Sequence, residues 1–230
     1  MVRLPEPDVA RDFSRRLRRW FRQHGRDLPW RRTRDPYHVL VSELMLQQTQ
    51  VSRVIDYYHR FLARFPSLTR LAESPEGHVL EAWSGLGYYA RARNLHALAR
   101  TVTRDGGSAL PADPVALRAL PGVGAYTAGA VASFAFESRA ELVDTNVARV
   151  LARVFAPRLA PKRPRDLSQL WRIAEAVLPP RGSTAWTHNQ ALMELGALVC
   201  TARIRHCTRC PVRRLCRTRI AELASMDVTR

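Results

Sequence analysis

The sequence predicts an all-α protein. Apolar residues recur at helical spacing along nearly the whole chain, Gly and Pro punctuate that pattern, and no alternating apolar–polar run is long enough to read as a strand. The 230 residues suffice for one large or two small domains with real cores.

The elements follow in order. Asp8 to His24 carries Phe13, Leu17, Trp20 and Phe21 on one face and arginines on the other. Residues 25–37 read as a loop. A helix then runs through HVLVSELML, and another from Val51 to Phe65 with Thr49 as its N-cap. Pro66 and Pro75 mark turns. Glu76 to Trp83 forms a short helix stopped by Gly85 and Gly87, and Arg91 to Arg104 forms another, ended by Gly106 and Gly107. Asp113 followed by Pro114 starts a helix that stops at Pro121. An apolar helix spans Ala125 to Phe136, and Val147, Val150, Leu151 and Val154 mark one that begins after Asp144. A linker with Pro157, Pro161 and Pro164 precedes helices over 166–178 and 187–199, and the cysteines occupy the tail. There is no internal repeat or low-complexity tract.

Hydrophobic residues make up 46% and charged residues 25%, an ordinary balance for a soluble globular protein. No apolar run reaches membrane-spanning length, and the N-terminus lacks the apolar core of a secretory signal, so a cytoplasmic location is expected. The net charge of +17 calls for a polyanionic partner. Lys162 is the only lysine and the other basic residues are Arg, a bias that explains the choice of Arg but not the excess over 20 acids. Nucleic acid fits better than a membrane surface, because no basic amphipathic segment ends in a lipid-anchoring pattern.

All four cysteines lie in one loop as C-x6-C-x2-C-x5-C: Cys200, Cys207, Cys210 and Cys216. In a reducing compartment this points to one tetrathiolate site. Zinc ribbons usually use two C-x2-C knuckles and only Cys207 and Cys210 form one, yet spacing alone leaves zinc and iron–sulfur even. Arg203, Arg205, Arg209, Arg213 and Arg214 surround the ligands and can face phosphates. LPGVGAYTAGA, from Leu120 to Ala130, joins two helices through Gly122 and Gly124. Such a hairpin lets backbone approach a ligand and aims free N–H groups at phosphate, gripping a strand without reading its sequence.

Two carboxylates stand out. Glu43 shares a helix face with Val39, Leu40 and Leu46. Either it is buried, with a raised pKa suited to a general acid, or it sits at the stripe's edge and reaches water; the pattern alone favours the second. Asp144 precedes a helix and reads as an N-cap whose pKa the helix end keeps low. One raised and one lowered carboxylate is the pairing that cleaves a glycosidic bond.

Taken together, LPWR (28–31), SELMLQQTQV (42–51), GLGYYARARNLH (85–96), LPGVGAYTAGA (120–130), VDTNVARVLAR (143–153), NQALMELGALVC (189–200) and the cysteine loop resemble the MutY adenine glycosylases of the endonuclease III, or helix-hairpin-helix, superfamily. The resemblance implies two helical domains flanking a DNA-binding cleft. A six-helix barrel with the hairpin would cover 29–138, and an iron–sulfur domain would cover 1–28 with 139–230. It implies a [4Fe–4S] cluster on the four cysteines, a monomer in the bacterial cytoplasm at the nucleoid, and mispaired double-stranded DNA as partner. Glu43 would protonate a flipped adenine at N7 and later help activate water. Asp144 would stabilise or trap the sugar cation, Tyr126 would bond to Asp144, and Asn146 would position water. Trp30, Arg31, Leu46 and Gln190 match positions lining the base pocket, and Gln48 and Tyr88 match the wedge that enters the stack.

Tyr126 stands where lyase-active relatives place a catalytic lysine, and Lys162 lies in a linker, so a monofunctional enzyme is expected. Thr218 to Arg230 are too few for the 8-oxoguanine-recognition domain usual in MutY enzymes, and His188 and Thr145 replace the common Phe and Gly. Two alternatives stand beside the adenine reading: a thymine/uracil mismatch glycosylase of the same superfamily, and a non-catalytic lesion-binding protein.

Overall fold

The computed structural model describes residues 2–104 and 106–227. Among these the regular structure is helical, apart from an isolated bridge between Cys200 and Arg205. In chain order the helices are α1 (Pro7–His24), α2 (Pro36–Leu46), α3 (Val51–Arg64), α4 (Leu68–Glu73), α5 (Glu76–Trp83), α6 (Ala90–Thr103), α7 (Pro114–Arg118), α8 (Ala125–Phe136), α9 (Thr145–Phe155), α10 (Pro164–Val177), α11 (Gly182–Leu198) and α12 (Arg217–Asp227), with 3-10 turns at Pro29–Arg31, Cys207–Arg209 and Arg213–Leu215. They form two compact units. One is Asp27–Phe136; the other joins Met1–Arg26 to Glu137–Arg230. None of the described helices is long and apolar enough to cross a membrane.

In the unit Asp27–Phe136, α2 and α8 are buried on almost every side, as helices apolar all round must be. The Asp35 side chain caps α2 by accepting from the His38 N–H, and Pro36 fills the first turn. Helices α3, α6 and α8 pack on α2, and α7 pairs with α8. Two sequence expectations change here. Thr49 does not cap α3, which starts after Gln50; its hydroxyl turns back to the Gln47 carbonyl at 3.3 Å. Between Pro66 and Pro75, where only turns were expected, Ser67 caps α4, which buries Leu68 and Leu71.

In the other unit α1 packs on α10 and α11, and α9 packs on α10, α11 and α12. Phe13 meets Phe155 edge-on with ring centroids 4.9 Å apart. Helix α11 begins at Gly182, a full turn ahead of the expected start near 187. Only glycine fits there: a Cβ would stand 1.5 Å from the Glu137 carbonyl oxygen. Inside α11, Glu194 is 1% exposed and takes a bidentate guanidinium bond from Arg26, plus the Arg26 backbone N–H at 2.8 Å.

His188, also on α11, is buried against the Ser14 hydroxyl, with its Nδ1 at 3.0 Å. Burial, helped by the charge of Arg18, pushes its pKa down to about 3 from the usual 6.5. A depressed histidine stabilises the fold above the unfolded-state value, and that contribution drains away as pH falls toward the folded one. Stability to urea should therefore decline steadily from about pH 6.5 to about pH 3. The variant His188→Phe, with Ser14 still bonded to Arg18, should show a shallower acid limb in the same titration.

Candidate active site

In the unit Asp27–Phe136, the Glu43 side chain is buried at 4% exposure. The amphipathic pattern had favoured a water-facing edge position, but α8 covers that side of α2. The Tyr126 hydroxyl, from the first turn of α8, donates to Glu43 Oε2 at 2.7 Å. The resemblance had implied a bond from Tyr126 to Asp144; the bond this unit itself supplies is to Glu43. Trp30 is also buried, edge-on to Tyr58 at 5.6 Å, while Arg31 and Leu46 are half-buried.

The same unit carries two exposed residues on left-handed backbone. Gln48 has φ +56° and Tyr88 has φ +49°, a conformation non-glycine residues rarely adopt. Tyr88 is 61% exposed. Both loops are tied to Arg91 at the start of α6, which is buried. Arg91 Nη1 donates to the carbonyls of Leu44, Met45 and Gln47, and Nη2 to those of Leu86 and Gly87, at 2.6 to 3.3 Å. One turn further along α6, Asn94 faces the hairpin: a Cβ on Gly122, whose φ is +73°, would lie 2.5 Å from Asn94 Cβ. Val123 is buried beneath the turn, whereas Gly124 looks into open space. Sequence reading did not single out Arg91 or Asn94. A buried arginine among carbonyls leaves no periodic signal.

In the other unit Asp144 caps α9, its Oδ1 accepting from the Val147 N–H at 2.6 Å. Asn146 Nδ2 donates to Asp144 Oδ2 at 2.9 Å, and Asn146 Oδ1 accepts from Arg149 Nη2 at 2.7 Å. Arg149 reaches on to the carbonyls of Gly196 and Cys200. A continuous polar chain thus links Asp144 to the first cysteine. The helix end had been expected to hold the Asp144 carboxyl low. Its pKa is instead raised, because burial outweighs the opposing bonds from Val147 and Asn146 and the charge of Arg149. Gln190 is buried in α11 beside Asn189, whose amide donates to the Ala140 carbonyl.

The cysteine loop wraps onto α9. Cys200, Cys207, Cys210 and Cys216 are all free thiols and line one cavity with Val150, Val154 and Leu195. Arg153 binds the loop through the carbonyls of Cys200 and Thr201, and its own carbonyl accepts from the Thr218 hydroxyl. Burial pushes the Cys210 thiol up to about 12 and raises Cys216 as well. The surrounding Arg203, Arg209, Arg213 and Arg214 are exposed, and Arg205 pairs with Glu222.

The family described as HhH-GPD superfamily base excision DNA repair protein matches residues 41–174. The chain belongs to the HhH-GPD superfamily. The adenine DNA glycosylase of Mycobacterium tuberculosis is 45% identical over 216 residues, 91% of this chain and 69% of the relative. The adenine DNA glycosylase of Rattus norvegicus is 46% identical, but this chain spans about two fifths of its length. Among solved structures, a thermostable thymine-DNA glycosylase superposes with a TM-score of 0.84 at 31% identity, covering 93% of this chain and 98% of that one. Endonuclease III trapped covalently on DNA shares the fold, with a TM-score of 0.77 at 22% identity.

Many members of this superfamily hold an iron–sulfur cluster, and the loop fits one. Four free thiols surround a single cavity, yet no three of the described His, Cys, Asp or Glu side chains are gathered as ligands of one metal ion would be. A cubane binds each thiolate through a different iron and so takes a wider set.

The approach of α11 to the Asp144–Asn146 pair depends on Gly196, where a Cβ would lie 2.7 Å from Asn146 Cβ. Helix propensity alone would make Gly196→Ala stabilising by up to about 1 kcal/mol. The contact should win, lowering unfolding free energy in urea by about 1–3 kcal/mol, the usual range for overpacking.

Proposed function

We propose that the chain is a monofunctional DNA glycosylase that extrudes adenine mispaired with 8-oxoguanine or guanine and hydrolyses its N-glycosidic bond. The buried Glu43 carboxyl with the Tyr126 hydroxyl 2.7 Å away carries this reading. A carboxyl group out of water favours its neutral form and can deliver a proton to a leaving base. Tyr126 occupies the hairpin position at which an amine would make the enzyme a lyase, and a phenol forms no Schiff base. Glu43 protonates adenine at N7, the bond to the sugar breaks, and Asp144 stabilises the oxocarbenium-like sugar. Burial disfavours the Asp144 anion in the free protein. The cation that develops on the sugar supplies the missing counter-charge. Asn146, bonded to Asp144, orients the incoming water, the Glu43 carboxylate takes that water's proton as its oxygen bonds to the sugar, and the abasic strand is released intact.

Cys200, Cys207, Cys210 and Cys216 would hold a [4Fe–4S] cluster, and the loop they tie down would present Arg203, Arg209, Arg213 and Arg214 to phosphates. Gln48 and Tyr88 enter the stack as the base leaves. The net charge of +17 supports double-stranded DNA as the partner, bound by a monomer in the cytoplasm. The likeness to a thymine-DNA glycosylase supports a second reading, in which thymine opposite guanine is the target.

A single-turnover panel separates them. Duplexes with A opposite 8-oxoguanine, A opposite G, T opposite G and U opposite G would be scored for breakage with and without alkali. Adenine duplexes should be cut only after alkali, and Glu43→Gln should slow excision at least a hundredfold, the scale of removing a general acid being about 10² to 10⁴. Preferential cutting at T opposite G would establish the second reading. Purified protein should be brown, and Cys210→Ser should bleach it and weaken DNA binding.

A further inference from the structure

We propose that Arg91 is the positioning residue that sets Gln48 and Tyr88 as a paired wedge. The inference rests on the reading that these two side chains enter the DNA stack. Its ground is how one guanidinium is shared. Nη1 donates to the Gln47 carbonyl at 2.6 Å and Nη2 to the Gly87 carbonyl at 3.0 Å. Gln47 directly precedes Gln48, and Gly87 directly precedes Tyr88. The planar fork therefore fixes the peptide plane leading into each left-handed residue and holds the two at one separation.

The rest of the environment suits that task. Nη1 also takes the Leu44 and Met45 carbonyls at the C-terminal end of α2, where a cation is favoured. Thr49 Oγ1 lies 3.4 Å from both terminal nitrogens. The guanidinium lies 5.5 Å from the ring centres of both Trp83 and Tyr88, so it also supports the exposed ring from beneath. Among the described residues no ion pair joins Arg91 to a carboxylate, and its Nε has no hydrogen-bond partner. A buried cation held by carbonyls, one hydroxyl and ring faces is an expensive way to close a loop. Its geometry reaches two loops, each of which carries an exposed residue with positive φ. A lysine ammonium at the same place is a point donor and cannot span both carbonyls.

Wedge positioning and general stability predict different things. A wedge contributes the work of unstacking, so its loss matters when the target is well stacked and matters less when the stack is already weak. We would measure single-turnover excision of adenine opposite guanine in two duplexes, one fully paired around the mispair and one with mismatched neighbours. A fluorescent adenine analogue beside the target would report extrusion. Arg91→Lys should slow excision from the paired duplex on the order of a hundredfold, the scale of a misplacement of about 1 Å, and from the weakened duplex far less. Gly87→Ala gives a second, folded perturbation. Its φ is +72° and an added methyl meets nothing, so only the turn is strained. It should show the same discrimination between duplexes. In a Tyr88→Gly background, Arg91→Lys should add little further loss.

Equal slowing on both duplexes, by either variant, would overturn the proposal. So would full multiplication of the Arg91→Lys and Tyr88→Gly effects. If Tyr88→Gly and Gln48→Gly leave the extrusion signal unchanged, the wedge reading itself fails and the positioning role falls with it. That outcome is distinct from failure of Arg91 alone, in which the glycine variants lose extrusion and Arg91→Lys does not.

Discussion

Moving a carboxylate out of water into a protein interior costs several kcal/mol unless partners replace the lost hydration. Glu43 sits at 4% exposure in a helix whose other residues are almost all apolar and buried, and much of its unit is arranged around that burden. Helix α8 must pack closely on α2, and it buries the small residues Ala128, Gly129, Ala130 and Ala132. It must also bring a donor, and Tyr126 stands one residue into α8, where the preceding hairpin fixes its position. The hairpin in turn depends on Gly122, which turns against Asn94. The buried carboxyl and the glycine hairpin are thus two consequences of one packing requirement.

The arginine excess has a second role beyond long-range attraction. Arg91 in one unit, and Arg149 and Arg153 in the other, spend their N–H groups on backbone carbonyls of irregular segments. A guanidinium has five donors in a fixed plane, and loops have carbonyls that no ladder or helix satisfies. Each of these arginines therefore supplies the order that periodic hydrogen bonding gives a helix. The chain uses them at the loops that carry Gln48 and Tyr88 and at the cysteine loop, the segments least able to build cores of their own.

The sequence made the helices legible where hydrophobic spacing ran for several turns, as in α1, α3, α8 and α9, and the cap residues Asp113 and Asp144 marked true starts. It did not reveal α4, which is too short for a period to register and owes its existence to Ser67 and two buried leucines. Thr49 looked like a cap because its side chain can cap, but the turn before α3 uses that hydroxyl locally and against Arg91. At the site, residue identity exposed Glu43, Asp144 and the cysteines as chemically able groups. Burial was the information it lacked. Whether Glu43 faces water depends on the packing of α8, which lies more than eighty residues away in sequence. Arg91 and Arg149 were invisible for the same reason, since their partners are carbonyls that every residue possesses.

The state of Asp144 follows from this difference between residue type and environment. A helix N-terminus alone would keep the carboxyl ionised, and the Val147 and Asn146 bonds act in that direction. Burial acts against them and prevails. The helix end therefore does not by itself set how readily Asp144 ionises. The carboxyl oxygens are held by Val147 and Asn146, and through Asn146 by Arg149, while burial penalises the charge. In the glycosylase proposed above, a substrate that develops positive charge would reduce that penalty, and a neutral ground-state sugar would not. Under that proposal the interaction grows along the reaction coordinate, which is the condition for lowering a barrier without tightening substrate binding.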